Sequence, residues 1–207
     1  MVSRMKTVCE SFVSRPQVGF VPKCVIGEAT HLLKLIQTYL DETEEEGLIL
    51  TLDWEKTFGR RSWDYPHLAF EALNFGPHFI QNLTTMSNKY LPPMRKVKQN
   101  GIRGKSFSIL SGVSQGCPFS PLAFLFIAEG LPRLILESDI AGIPAGNTTH
   151  KLSQFADDRQ LLLKRYSEIP IIWPLLDQYK RASGMRANAQ KNSTPLWDSS
   201  EKASRAK

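Results

Sequence analysis

The chain has 207 residues, 42% of them hydrophobic, and its 26 Lys and Arg against 20 Asp and Glu give a formal net charge of +6 at pH 7. This size suits one domain, or one domain with a small appendage, and the mild basic excess fits a phosphate-bearing partner. The three cysteines show no Cys-x-x-Cys pair, which argues against a zinc site or a disulfide framework, and the longest apolar run, Leu122 to Ala128, is far too short to cross a membrane.

The first elements predicted along the chain are a helix and a strand. Residues 1–27 show little periodicity and are expected to be irregular. Apolar residues at helical spacing predict an amphipathic helix over about residues 28–45, which runs into an acidic cluster and stops at Gly47. The continuous apolar run 48–52 then predicts a buried strand, and Asp53 lies at its end.

The middle of the chain predicts two helices followed by a hairpin. Ser62 is a candidate cap for a helix whose apolar positions share one face, namely Tyr65, Leu68, Ala69, Ala72 and Leu73. A second helix is expected over about residues 77–90. Residues 94–110 alternate basic and apolar side chains around Asn100-Gly101, which is typical of a β-hairpin. This basic hairpin either contacts a nucleic-acid backbone or is simply an exposed ribbon, and both interpretations stay open.

The last third of the chain predicts a buried helix, a second hairpin and a final helix. Residues 118–136 are nearly all apolar, as expected for a central helix. A Gly-rich connection, 139–150, leads to two apolar stretches, 151–154 and 160–163, which predict the strands of a hairpin. The final helix is expected over about residues 172–183. Because helices and strands mix without strict alternation, the sequence predicts an α+β fold rather than a doubly wound parallel sheet.

Two adjacent carboxylates, Asp157 and Asp158, occupy the tip of the second hairpin. Like charges this close repel, and a fold that keeps them commonly uses them to bind a hard divalent cation such as Mg²⁺. If the strand that ends at Asp53 lies beside this hairpin, the three carboxylates can hold two Mg²⁺ ions for phosphoryl transfer. The alternatives are a solvated turn for the pair and a simple cap of the next turn for Asp53.

A glycine-bearing turn separates these acids along the chain. Residues 111–118 read Ser-Gly-Val-Ser-Gln-Gly-Cys-Pro and lead into the predicted buried helix. Glycines let the backbone approach a nucleotide closely, and the helix N-terminus behind Gly116 is suited to face a phosphate or a base pair. Gln115 is either part of such a site or a turn residue that satisfies the backbone.

In order and spacing, these motifs resemble the reverse transcriptase domain of non-LTR (LINE-type) retrotransposons over residues 16–196. The matching blocks are Gln-Val-Gly-Phe-Val-Pro at 17–22, Leu-Asp-Trp-Glu-Lys-Thr-Phe at 52–58, Gly-Val-Ser-Gln-Gly-Cys-Pro-Phe-Ser-Pro at 112–121, Phe-Ala-Asp-Asp at 155–158, and the block from Ser183 to Lys191. The resemblance implies a polymerase palm, an antiparallel sheet backed by helices, with part of the fingers and without a thumb. It therefore implies a truncated copy.

The resemblance also implies a domain organisation. Residues 1–27 would be an irregular N-terminal segment with partial fingers, residues 28–197 the fingers and palm of the reverse transcriptase domain, and residues 198–207 a polar, disordered tail. No import signal is present, so the localisation within the cell stays open between nucleus and cytoplasm, as does the oligomeric state.

The catalytic residues implied by the resemblance are the three aspartates. Asp53 and Asp157 would hold two Mg²⁺ ions, with Mn²⁺ as an alternative metal, and Asp158 would lie beside them as a third carboxylate. The reaction would be the attack of a primer 3′-hydroxyl on the α-phosphate of a deoxynucleoside triphosphate. The partners would be an RNA template and a DNA primer, with no membrane involved.

The resemblance implies four substrate-binding residues as well. Phe58 would lie under the sugar and reject a 2′-hydroxyl, although a core aromatic is an equal alternative. Gln115 and Gly116 would contact the incoming nucleotide and the template pair. Lys191 would lie near the phosphates as an acid, with a solvated lysine as the alternative.

Several positions depart from the family pattern. Gly59 follows Phe58 where the family usually has Asp, and Pro-Lys-Cys at 22–24 replaces Pro-Gly-Arg. Arg159 stands where a small or neutral residue is usual, and a guanidinium there could pair with the carboxylates and compete for the cation. The alternatives to an active polymerase are therefore a catalytically inactive remnant that at most binds nucleic acid and an unrelated two-metal phosphohydrolase.

Overall fold

The structure is a computed structural model, and it describes residues 2–55, 64–86, 94–108, 119–156, 158–187 and 195–198. The helices within these ranges are α1 (Val2–Phe12), α2 (Ile26–Thr43), α3 (Asp64–Ala72), α4 (Pro77–Met86), α5 (Phe119–Ala128), α6 (Gly130–Leu136) and α7 (Ile169–Ser183). The strands are β1 (Leu48–Leu52), β2 (Trp54–Glu55), β3 (Met94–Gln99), β4 (Ile102–Ser108), β5 (Ile143–Ala145), β6 (Thr148–His150), β7 (Leu152–Phe155), β8 (Asp158–Leu163), β9 (Arg186–Ala187) and β10 (Pro195–Asp198).

A four-stranded antiparallel sheet with the order β10-β1-β8-β7 lies at the centre of the fold. β1 pairs with β8 along its whole length, from Leu48 opposite Leu163 to Leu52 opposite Arg159. β8 in turn pairs with β7, so the predicted hairpin that carries the paired aspartates lies directly beside the predicted buried strand. Two sequence predictions, the buried strand and this hairpin, are therefore confirmed.

Both faces of β1 are covered by helices, which explains why its sequence is apolar throughout. Leu48, Leu50 and Leu52 pack into one core cluster with side chains of α6 and α7. Ile49 points the other way and packs against Ile36 of α2. The sheet thus lies between two layers of helices.

The predicted central helix is confirmed as a buried element, but it consists of two helices rather than one. The chain turns at Glu129, which is only 3% exposed and accepts hydrogen bonds from the backbone N–H of Ser14 (3.0 Å), the Ser14 hydroxyl and Arg133 Nε (3.2 Å). The run Phe119–Leu136 is long and apolar enough to cross a membrane by length and composition, but 72% of it is buried inside the protein. The run therefore forms the core of this fold.

The expectation of an irregular N-terminal segment is wrong for residues Val2–Phe12, which form α1. Met5 and Cys9 are buried in the second core cluster and Phe12 packs against it, so the helix has apolar residues at helical spacing that the prediction missed. Burial raises the pKa of the Cys9 thiol to about 11. Cys9 is therefore a core residue and not a reactive thiol at neutral pH.

Other element boundaries differ from the prediction for local reasons. α2 ends at Thr43, before Gly47, because Glu44 adopts the left-handed conformation with φ of 54°. The connection expected at 139–150 contains the short hairpin of β5 and β6. In α3, Leu68 is 59% exposed and Phe70 is fully buried, so the predicted apolar face of this helix is wrong at Leu68.

The predicted basic hairpin is confirmed as β3 and β4. Its turn consists of Asn100 and Gly101, with φ of 49° and 83°. Two consecutive positive φ values belong to the tight turn that favours Asn-Gly in two-residue hairpins. Every residue of both strands is exposed, so the described core does not hold this ribbon in place.

The core packing predicts a large difference between two leucine truncations. Leu161 of β8 is fully buried, whereas Leu68 of α3 is largely exposed. We expect Leu161→Ala to lower the free energy of unfolding by about 2–5 kcal/mol because it leaves a cavity, and Leu68→Ala to change it by less than about 0.5 kcal/mol. Urea titrations followed by circular dichroism measure both values, and equal losses would contradict the assignment of β8 to the core.

Candidate active site

The candidate site lies at the turn between β7 and β8. β7 ends at Phe155 and β8 begins at Asp158, whose side chain is exposed. Ala156 lies between them with φ of 55°, a conformation that glycine and asparagine adopt more readily than alanine. Asp157 falls outside the described residues. The turn therefore has an unfavourable backbone conformation at Ala156 and an exposed acidic side chain at Asp158.

Asp53 lies next to this turn because of the register of β1 and β8. The last pair of the ladder is Leu52 opposite Arg159, and one step further along each chain are Asp53 and Asp158. Leu52 and Trp54 both belong to the core cluster, so the intervening Asp53 leaves the sheet on the other side. Asp53 and Asp158 are thus brought together at one end of the sheet, on the face opposite to that of Leu52, Trp54 and Arg159.

Arg159 lies on the core side of the same strand. It is fully buried, and its guanidinium lies 4.9 Å from the centre of the Trp54 ring and 5.9 Å from that of Tyr179. Nη2 also donates a hydrogen bond of 3.3 Å to the carbonyl of Ala128. Because neighbouring residues of a strand face opposite sides, the Arg159 side chain leaves β8 on the face opposite to that of Asp158.

The N-terminal block that begins at Gln17 packs directly against the turn. Gln17 is 3% exposed, and its Oε1 accepts a hydrogen bond of 3.0 Å from the backbone N–H of Ala156. Gln17 and Gln154 form a parallel bridge, in which Val18 N–H donates to the Gln154 carbonyl at 3.0 Å. The sequence analysis placed Gln17 in the fingers and missed this contact, since no local signal links residues 139 positions apart.

A cleft of about 390 Å³ borders the turn on the side of this N-terminal block. Phe155, Phe20 and Cys24 are among its lining residues. Burial raises the pKa of the Cys24 thiol above its ordinary value, and the carboxylates of Glu28 and Glu10 raise it further. The thiol is therefore protonated at neutral pH and is not a nucleophile for this cleft.

The donor atoms at the turn fit a hard divalent cation. Asp53 and Asp158 supply carboxylate oxygens, which Mg²⁺ and Mn²⁺ prefer over nitrogen or sulfur. Within the described ranges, which omit Asp157, no group of three His, Cys, Asp or Glu side chains could hold a metal ion. The chemistry of the described acids is thus compatible with the predicted metal, and the third predicted ligand lies outside the described residues.

The four predicted substrate-binding residues also lie outside the described residues. These are Phe58, Gln115, Gly116 and Lys191. The described part of the central motif begins at Phe119, where α5 starts.

Comparisons with known proteins agree with this architecture. Residues 1–202 match the model of the reverse transcriptase (RNA-dependent DNA polymerase) family. A Xenopus laevis protein described as the uncharacterized 149 kDa protein of transposon TX1 is 28% identical over 193 residues, which are 92% of this chain and 14% of that protein.

Two solved structures of telomerase from Candida tropicalis have a similar fold. The apo enzyme truncated from its C-terminal domain gives a TM-score of 0.59 at 12% identity, over 94% of this chain and 43% of that chain. The complex with a TWJ fragment of telomeric RNA gives a TM-score of 0.64 at 11% identity, over 92% of this chain and 32% of that chain. The chain thus spans less than half the length of each of these proteins.

These likenesses confirm the predicted α+β fold and the resemblance to the reverse transcriptase domain of non-LTR retrotransposons. The match extends over almost the whole sequence and includes the block before α2, the end of β1 and the acidic turn. The chain belongs to the reverse transcriptase (RNA-dependent DNA polymerase) family.

Proposed function

We propose that this chain is the palm of an RNA-directed DNA polymerase that extends a DNA primer on an RNA template. The observation that carries the proposal is the register of β1 and β8, which brings Asp53 and Asp158 together at one end of the sheet, on the face opposite to that of Leu52 and Arg159. Paired carboxylates at the edge of an antiparallel sheet, in a member of this family, are suited to phosphoryl transfer.

Asp53, Asp157 and Asp158 are the proposed ligands for two Mg²⁺ ions. When bound, such ions supply electrostatic stabilisation of the charge that develops on the transferring phosphoryl group. The chain itself contributes the position of the acids: Asp53 is fixed by the end of β1 and Asp158 by the start of β8. The primer 3′-hydroxyl would attack the α-phosphate of the deoxynucleoside triphosphate, with pyrophosphate as the leaving group.

The proposed substrate contacts follow from the family pattern. Phe58 would lie under the sugar, Gln115 and Gly116 would contact the nucleotide and the template pair, and Lys191 would lie near the phosphates. In this proposal Trp54, which follows Asp53, is a support rather than a substrate contact, because it is 6% exposed and packs edge-on against Tyr179 at 5.7 Å.

The exposed hairpin of β3 and β4 is the proposed contact for the nucleic-acid backbone. Its strands carry basic residues on both faces, with Arg95 opposite Phe107 on the face of Val97. Lys96, Lys98 and Arg103 share one face, whereas Val97 and Ile102 lie on the other. A basic face without acidic residues attracts phosphates.

A second candidate function is nucleic-acid binding without catalysis. The observation in its favour is Lys23, which stands near the position of the usual arginine of the family pattern. Lys23 forms an ion pair of 3.3 Å with Glu10, and its side chain is 84% exposed. A lysine also lacks the planar fork of arginine for phosphate binding. Primer extension separates this candidate from the polymerase.

The polymerase proposal predicts Mg²⁺-dependent extension of a DNA primer on an RNA template. We expect Asp53→Asn to lower the extension rate by more than about 100-fold, since changes in the outer shell of a metal site alone commonly cost about 10- to 100-fold. Asp139→Asn, a matched change at an exposed loop position, should leave the rate unchanged. Gel-resolved single-turnover extension measures all three proteins.

Two results would count against the polymerase. Extension by Asp53→Asn at the rate of the unchanged chain would exclude the proposed role of this carboxylate. A chain that binds the primer–template but extends it under no metal condition would favour the non-catalytic candidate.

The hairpin proposal predicts a change in the salt dependence of binding. We expect the triple variant Lys96→Gln, Lys98→Gln, Arg103→Gln to weaken primer–template binding and to flatten the slope of log K against log salt by about 0.7–0.9 for each phosphate that the variant no longer neutralises. The matched control removes the same charge elsewhere, at the exposed positions Lys34→Gln, Arg165→Gln and Lys180→Gln. Fluorescence anisotropy at several salt concentrations measures the slopes, and equal slopes for the two variants would refute the proposed role of the hairpin.

A further inference from the structure

We infer that Gln17 is a positioning residue for the acidic turn, and that its side-chain amide fixes the left-handed backbone of Ala156 and thereby the placement of Asp158 at the start of β8. This inference rests on the proposed function, because it assigns the turn a catalytic purpose. The Gln17 amide bonds to backbone atoms of Gly19 and Ala156, so its proposed role acts through the turn.

The contacts use both ends of the Gln17 amide. Oε1 accepts hydrogen bonds from the backbone N–H of Ala156 at 3.0 Å and of Gly19 at 2.9 Å. Nε2 donates to the carbonyl of Ala156 at 3.4 Å. One side chain thus binds the donor and the acceptor of a single residue, which requires an amide, since an ionised carboxylate has no donor and a thioether accepts only weakly.

Ala156 needs such support because of its backbone conformation. Its φ of 55° lies in the left-handed region, where a Cβ is unfavourable. Residues persist in this conformation when the surrounding structure determines it. The Gln154 amide also donates to the Ala156 carbonyl at 3.4 Å, so two buried glutamines hold the same peptide carbonyl.

The backbone of the N-terminal block fits the turn as closely as the side chain does. The Gln154 N–H donates to the Pro16 carbonyl at 2.9 Å, which anchors the block along the edge of β7. A Cβ on Gly19 would lie 2.3 Å from the backbone nitrogen of Ala156. Since that neighbour is backbone and is part of the strained turn, no larger residue fits at position 19 without moving the turn.

A shift of this turn would act directly on the proposed chemistry. Ala156 precedes the two adjacent aspartates, so a change in its φ redirects the chain that carries them. Misplacement of a catalytic group by about 1 Å can cost about 100-fold in rate. The N-terminal block is therefore connected to the acidic residues through the hydrogen bonds that Gln17 makes with Ala156.

The test compares Gln17→Met, which keeps the length of the side chain, with Gln17→Glu, which keeps the acceptor. We expect Gln17→Met to lower the kcat of primer extension by about 10- to 100-fold, as for other residues that orient a metal site, and to raise the Mg²⁺ concentration at half-maximal rate. The KM for the nucleotide and the binding of primer–template should stay unchanged. Gln17→Glu should show a smaller loss, and Gln178→Met, at an exposed position of α7, none.

Rescue distinguishes positioning from a general loss of stability. Glycine adopts positive φ readily, so adding Ala156→Gly to Gln17→Met should restore part of kcat and return the Mg²⁺ dependence towards that of the unchanged chain. Wild-type kinetics in Gln17→Met would overturn the inference. A loss of kcat that is proportional to the unfolded fraction of the protein, and that Ala156→Gly does not restore, would overturn the inference as well.

If the unchanged chain extends no primer, the proposed polymerase fails, but the inference on Gln17 is still tested. Terbium luminescence then reports metal binding, and hydrogen exchange reports opening of residues 154–158. We expect Gln17→Met to weaken terbium binding and to accelerate exchange at the turn by at least about tenfold, because local opening becomes easier. Unchanged terbium affinity and unchanged exchange would refute the positioning role.

Discussion

The antiparallel pairing of β1 with β8 determines which side chains enter the core and which reach the candidate site. Leu52 and Arg159 face each other at the end of this ladder, and both side chains belong to the buried side. The alternation of the two strands then turns Asp53 and Asp158 outward together. A slip of one residue would turn Asp53 towards the cluster that holds Leu52 and Trp54, where a carboxylate would lose its contact with water. The apolar burial of β1 on both sides therefore also sets the position of the acids.

A buried cation lies beneath this end of the sheet. An isolated charge inside a protein is strongly unfavourable, and the structure compensates Arg159 with the faces of Trp54 and Tyr179 and with the carbonyl of Ala128. Cation–π contacts are stronger when the cation is removed from water. Arg159 thereby connects β8 with β2, α5 and α7. Arg159, which departs from the family pattern, thus has a structural role in joining these elements.

Local signals were sufficient to predict the elements that local chemistry determines. Asn100-Gly101 specified the turn of the basic hairpin, and the apolar runs specified β1 and the strands of the acidic hairpin. The break between α5 and α6 has a local signal that the prediction missed, since Gly130 and Pro132 follow Glu129 and a proline cannot donate the hydrogen bond that would continue the helix. The contact of Glu129 with Ser14 has no such signal, because 115 residues separate the two. The hydrogen bond between Gln17 and Ala156 could not be predicted either, because 139 residues separate the two. Sequence motifs thus identified the three acids as candidates, but the contacts that Gln17 makes with their turn are long-range.

The arrangement around Ala156 bears on the choice between polymerase and non-catalytic binding. Binding of phosphates requires only exposed positive charge, which the hairpin of β3 and β4 already offers. The turn, in contrast, combines adjacent like charges with an alanine at φ of 55° and with two buried glutamine amides on one carbonyl. Local rules of stability are commonly violated at functional sites, where the surrounding structure compensates the violation. Nucleic-acid binding alone gives no reason for this turn, so the turn belongs to the reverse transcriptase fold and not to the basic surface of the chain.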